Sequence, residues 1–129
     1  MIRDLLKDHD GFSHDSNAYD DDALYMEGDL VVLPYAFDTN DMRFTPGGGF
    51  VHARDFVENV IAGFDRLHAE GAKTVRMMSI GLHTRIIGRP SRIGGLEAVL
   101  SHIAAKADLW ISSRKNIAAS WAKQHGRTS

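Results

Sequence analysis

Lys73–Pro90 reads KTVRMMSIGLHTRIIGRP. Its first part, Lys73–Leu82, with an apolar run from Met77 to Leu82, suits a buried strand, and it is followed by His83 and a loop rich in cations. Ser91 follows where a helix cap belongs. Beyond it, Ile93, Leu96, Val99, Leu100 and Ile103 recur at helical spacing, which predicts a helix as far as Lys106. Strand, loop and helix in this order make a βα unit.

The same order appears on either side. Asp29–Tyr35 (DLVVLPY) is a β-branched run closed by Pro34, and it predicts another buried strand. Ala36–Phe50 (AFDTNDMRFTPGGGF) is a long polar loop with three successive glycines, as expected of a segment that lies over a site or is simply flexible. Arg54–Glu70 carries Phe56, Val57, Val60, Ile61, Phe64 and Leu67 on one helical face, and Gly71 is placed to stop it. Asp108–Ser112 (DLWIS) predicts a third strand. Ser113–His125 predicts a last helix, with Ile117 and Trp121 inward. Met1–Asp8 suits a short helix, and Gly11–Asn17 an extended segment or loop. The alternation predicts an α/β fold of parallel units in one domain spanning residues 1–129.

Composition narrows the function. The chain is 43% hydrophobic and 25% charged, enough apolar material for a core. Its apolar runs stop far short of the ~20 residues that cross a bilayer. Met1–Asp10 has no apolar signal-peptide region. Fifteen basic and seventeen acidic residues give a net charge of -2, so no electrostatic footprint points to nucleic acid or an anionic membrane. With no cysteine, disulfides, thiolate metal sites and cysteine nucleophiles are excluded, as suits a cytoplasmic protein.

Loops after parallel strands gather on one face, where ligands bind. Asp38, Asn40, Asp41 and Arg43 follow one predicted strand, and His83, Arg85 and Arg89 follow the next, so the two sets are expected to meet. His83 can carry a proton near neutral pH or ligate a metal, and it reads equally as a structural histidine at a strand end. Arg43, Arg85 and Arg89 could grip a carboxylate, ureide or carbonyl oxygen, or brace the loops against Asp38 or Asp41. HxxxH, HExxH and GxSxG are all absent, and Gly47–Gly49 lacks the lysine of a phosphate loop. The Asp20–Asp22 cluster reads as a solvated loop or a metal site.

Three blocks carry a resemblance. GFSHDSNAYDDD (Gly11–Asp22), LPYAFDTNDMRF (Leu33–Phe44) and SIGLHTRIIGRPSRI (Ser79–Ile93) together resemble the polysaccharide deacetylase family. They are most similar to its urate-catabolism branch, the metal-independent allantoinases. The resemblance runs over nearly the whole chain but only over the C-terminal half of the family's domain. It implies a partial, NodB-like (β/α) barrel of parallel strands with flanking helices. It implies hydrolysis of a non-peptide C–N bond, either ureide ring opening or N-acetyl sugar deacetylation. His83 is then the catalytic residue, Asp38 and Asp41 orient other groups, and Arg43 and Arg89 fall in allantoinase-type motifs. Asp15, Ser16 and Asn17 would lie near the substrate. No cofactor and no metal are implied.

The sequence departs from the family at several points. Asp22–Met26 (DALYM) lacks an expected proline and tryptophan, and Thr84 stands where cysteine is common. The family's aspartate pair and its HxxxH element belong upstream of Met1. Amide hydrolysis needs an activated water besides an acid, and the chain offers a candidate acid without a convincing base. It therefore reads as a partial enzyme or as a non-catalytic remnant. With about three strands, against the seven or eight of a closed or nearly closed barrel, its sheet keeps open edges. Covering such surface is worth roughly 25 cal/mol per Å². A homo-oligomer, most simply a two-fold dimer, or a complex with the missing N-terminal half is expected.

Overall fold

In the computed structural model of the protein, residues 14–15, 24–27, 30–33 and 38–124 are described. Two compact units divide the chain. One comprises Ala36–Leu109; the other joins Met1–Tyr35 to Trp110–Ser129.

The first unit is organised by helix α1 (Ala53–Glu70), within a residue of its predicted start. Phe56, Val60 and Phe64 are buried, at the spacing that puts them on one side. Asp55 accepts the backbone N–H groups of Val51 and His52 at 2.9 and 2.7 Å, satisfying donors that a helix start leaves open. At the other end, the Gly71 N–H reaches the Leu67 carbonyl in ordinary right-handed geometry. A short helix α2 (Thr84–Ile87) follows His83, and then comes helix α3 (Ile93–Ala104). The α1–α3 contact is close because position 95 is glycine. A Cβ there would stand 3.3 Å from the Cβ and carbonyl oxygen of Ala53 and from Cγ2 of Val57. Phe44, Phe50, Phe56, Val60, Ile87 and Val99 form the core. Burying a side chain like Phe56 contributes about 1.5–3 kcal/mol. At the rim, Phe64 stacks on His68 and meets His102 edge-on; His68 pairs with Asp108 at 2.8 Å and His102 with Asp65 at 2.7 Å.

The second unit holds a three-stranded sheet. Strand β3 (Leu30–Val32) lies between β1 (His14–Asp15), which is parallel to it, and β2 (Tyr25–Glu27), which is antiparallel. Val31, Val32 and Leu33 are fully buried, as the β-branched run predicted. Helix α4 (Arg114–Gln124) belongs to this unit, and Arg114 Nη1 donates to the Leu33 carbonyl at 3.4 Å.

Several sequence expectations need correction. Among the described residues Lys73–Leu82 is not a strand: Val75 is 62% exposed, and the segment's one bridge pairs Gly81 with Asn40. Asp108–Ser112 is not a strand either, and Trp110 and Ile111 are 61% and 76% exposed. Both have strand-forming residues, but a ladder also needs a hydrogen-bonded neighbour along its length, and no such neighbour exists among the described residues. The partners of β3 are instead short segments that periodicity could not single out, and one of them is antiparallel, so the parallel alternation fails here. Ser91 is not the cap of α3. That helix begins at Ile93 after Arg92, and the Arg89 carbonyl receives the Arg92 and Ile93 N–H groups, both at 2.9 Å. Of its predicted stripe, Val99 is buried, whereas Ile93 and Leu100 are largely exposed. In α4 the buried positions are Ala118 and Ala122, small residues that allow close packing, and Ile117 and Trp121 are only half-buried. The expected Met1–Asp8 helix and the Asp20–Asp22 cluster lie outside the described residues. Among the described residues, no helix is long and apolar enough to cross a membrane.

Candidate functional site

The polar loop is a tied knot. Asn40 caps a short 3-10 helix (Asp41–Phe44), its Oδ1 accepting the Met42 N–H at 2.9 Å. Phe44 and Phe50 point into the core, and the Phe50 N–H returns to the Arg43 carbonyl at 2.9 Å. The chain can turn back so sharply only at the glycines. Gly47 and Gly49 have φ of 81° and 100°, and a Cβ on Gly48 would lie 2.4 Å from the Arg43 carbonyl oxygen. Arg43 fills the knot: Nε donates to the Gly48 carbonyl at 3.0 Å, Nη1 to the Asp38 carbonyl at 3.1 Å, and the guanidinium lies 4.3 Å from the centre of the Phe50 ring.

The knot is stitched to the segment before His83. The Asp41 N–H donates to the Gly81 carbonyl and the Gly81 N–H to the Thr39 carbonyl, each at 2.9 Å. Thr39 Oγ1 donates to the Ser79 carbonyl at 2.6 Å. This register places Asp41 beside His83. Asp41 is fully buried; its Oδ1 lies 2.6 Å from His83 Nδ1, and its Oδ2 accepts the His83 backbone N–H at 2.6 Å. Both carboxylate oxygens are therefore used on one residue, and Nδ1 carries the hydrogen. The imidazole is 47% exposed, and its Nε2 has no partner among the described residues. A histidine held in this way presents one defined nitrogen outward.

The two polar sets thus meet through Asp41 and His83. The other candidates are placed differently. Asp38 is exposed, and its Oδ1 accepts the Thr39 N–H at 3.1 Å. Arg43 braces backbone carbonyls and pairs with neither Asp38 nor Asp41 through their carboxylates. Arg85 and Arg89 have exposed side chains with no hydrogen bond or ion pair among the described residues. Asp15 contributes its backbone to β1, and Ser16 and Asn17 lie outside the described residues. Among the described residues, no three His, Cys, Asp or Glu side chains gather as a metal cluster.

Sequence reasoning missed Asn59 and Arg92. Asn59 Nδ2 reaches from α1 to the Asp38 carbonyl at 2.7 Å. Arg92 lies 4.5 Å over the Phe44 ring and donates to the Ile86 carbonyl at 3.2 Å. Asparagine is a poor residue for a helix interior, and that was the available signal for Asn59. Arg92 gave none.

No family model matches the chain. A curated Schizosaccharomyces pombe protein, named provisionally as a polysaccharide deacetylase, is 35% identical over 125 residues, covering 86% of this chain and 39% of that protein. The crystal structure of Puue allantoinase superposes with a TM-score of 0.91 at 40% identity, over 99% of this chain and 44% of the other. A probable polysaccharide deacetylase from Pseudomonas aeruginosa PAO1 gives 0.91 at 38% identity, with the same coverage. This chain is related to the polysaccharide deacetylases and allantoinases. It spans less than half the length of each of these relatives, and its fold is that of the corresponding part of their NodB-like domains.

Proposed function

We propose that the chain carries the proton-transfer side of a hydrolase acting on non-peptide C–N bonds, with ureide ring opening as the reaction. The observation that supports it is the fully buried Asp41 carboxylate 2.6 Å from Nδ1 of a half-exposed His83. When an amide C–N bond breaks, the leaving nitrogen must be protonated. A histidine with its Nδ1 hydrogen held can deliver a proton from Nε2, while the carboxylate offers counter-charge to the cationic ring. Exposed Asp38 and Arg89 would contact the substrate, a planar guanidinium being suited to a ureide carbonyl or carboxylate. No metal ligation is assigned to the chain.

Activation of water is left to groups outside the described residues. We accordingly read the chain as one part of a (β/α) barrel in a cytoplasmic protein, completed by further polypeptide or by a second copy. Exposed Trp110 and Ile111 would be covered on assembly.

Allantoin and an N-acetylglucosamine oligomer, offered to the purified chain alone and mixed with a polypeptide supplying the rest of the relatives' domain, test this reading. Ring opening of allantoin, lost in His83→Ala with the fold retained, is the expected result. Full turnover by that variant, or release of acetate without ring opening, would overturn it. Light scattering is expected to show a dimer, or a complex with the added polypeptide.

A further inference from the structure

The carbonyl of Asp38 accepts two side-chain donors from different directions, Arg43 Nη1 at 3.1 Å and Asn59 Nδ2 at 2.7 Å. Asp38 opens the turn that carries Asp41. The far side of the turn is pinned separately, through Thr39 to Ser79 and through Asp41 to Gly81. Arg43 and Asn59 therefore hold the near side of the turn that carries Asp41.

Arg43 is also engaged through two of its three nitrogens. Nε and Nη1 are engaged on carbonyls, and one face of the guanidinium is against Phe50. The three glycines let the chain close around it, with Nη2 only 3.2 Å from where a Gly49 Cβ would be. A guanidinium that serves a substrate needs its fork open toward the ligand. This one is used inward.

We propose that Arg43 and Asn59 are positioning residues for the Asp41–His83 pair, acting through the Asp38 carbonyl, and that Arg43 is not a substrate ligand. The inference rests on the functional reading of that pair only for its kinetic consequence; its structural consequence is independent of activity. Lysine at 43 offers a single nitrogen where arginine spans two carbonyls with two, and it has no planar face for the Phe50 ring. Aspartate at 59 keeps the shape of asparagine and turns a donor into an acceptor facing a carbonyl.

The test is the ¹⁵N spectrum of the His83 ring in the full chain, compared among wild type, Arg43→Lys, Asn59→Asp and Asn59→Ala. Glu58→Ala, a neighbouring exposed position on α1, is the control. In wild type and the control, the neutral ring is expected to hold its hydrogen on Nδ1. In the Asn59 and Arg43 variants that preference is expected to weaken to a mixture of tautomers. If Arg43→Lys does not fold, the Asn59 variants on the half-exposed helix surface decide the question. Where turnover is measurable, kcat should fall about tenfold or more with KM little changed, because misplacement affects the reacting geometry. Unchanged tautomer populations in folded Asn59→Asp and Asn59→Ala would overturn the proposal, as would a raised KM with unchanged kcat in Arg43→Lys. A tautomer shift with no turnover even after the rest of the relatives' domain is supplied would uphold the positioning role and count against the functional reading alone.

Discussion

Residues 38–50 and 73–82 invite opposite readings, and the structure reverses both. The first stretch is polar, rich in glycine and loop-like, yet it is fixed from end to end by hydrogen bonds and by two buried phenylalanines. The second is apolar and strand-like, yet Val75 is mostly exposed and one bridge at Gly81 is its only strand pairing among the described residues. Order in the first comes from side chains that bond to backbone a few residues away, so the information is local. Order in a strand comes from neighbours that the segment does not contain. Apolar composition predicts a wish for cover, not a partner.

The sharpest attack on this contrast is Gly48→Ala. A Cβ 2.4 Å from a backbone oxygen cannot be relieved by moving a side chain, so the knot must open. The expected loss is at least about 1–3 kcal/mol by chemical denaturation. A variant as stable as wild type would show that the loop is not tied as described.

A smaller effect is expected from Asp55→Asn, at the point where the loop enters α1. Backbone N–H groups of His52 and then Val51 hold the Asp55 carboxyl below its ordinary value. A carboxyl lowered in the folded state adds stability above the ordinary carboxylate range, and that stability is lost as pH falls through the lowered value. Melting scans from neutral to acid pH should therefore show a variant slightly less stable at neutrality, the two proteins converging in acid. A gap that stays constant with pH would remove the charge from the explanation.

The smallest change belongs to the other region. Val75→Ser should alter the stability of this chain by no more than about 0.5 kcal/mol, as surface substitutions do. A loss of about 2 kcal/mol or more would mean that Val75 is covered in solution and that Lys73–Leu82 has found the ladder it was expected to have. That outcome would favour assembly through this segment.

Much of the site was nevertheless legible. Strand-end placement put His83 opposite the Asp38–Arg43 set without any contact being known, and Asp41 is the residue that meets it. The substrate role expected of Arg43 looked as plausible as bracing, since a guanidinium suits either. Only the folded chain shows its donors turned onto the Gly48 and Asp38 carbonyls. Asn59 was invisible as a partner because its bond spans α1 and the loop, and no periodicity encodes such a reach.

By itself the sequence determined helix α1, through the spacing of Phe56, Val60 and Phe64, and the buried strand β3, through consecutive β-branched residues. Both follow from periodicities that a short window contains. It also carried the resemblance that the comparisons support. The tertiary structure alone decided which segments became strands, because pairing requires a second segment at the right distance and register. It also decided that Asp41, rather than Asp38, lies under His83. That choice depends on the Asn40–Gly81 bridge, which brings together segments distant in the chain and which no local preference could specify.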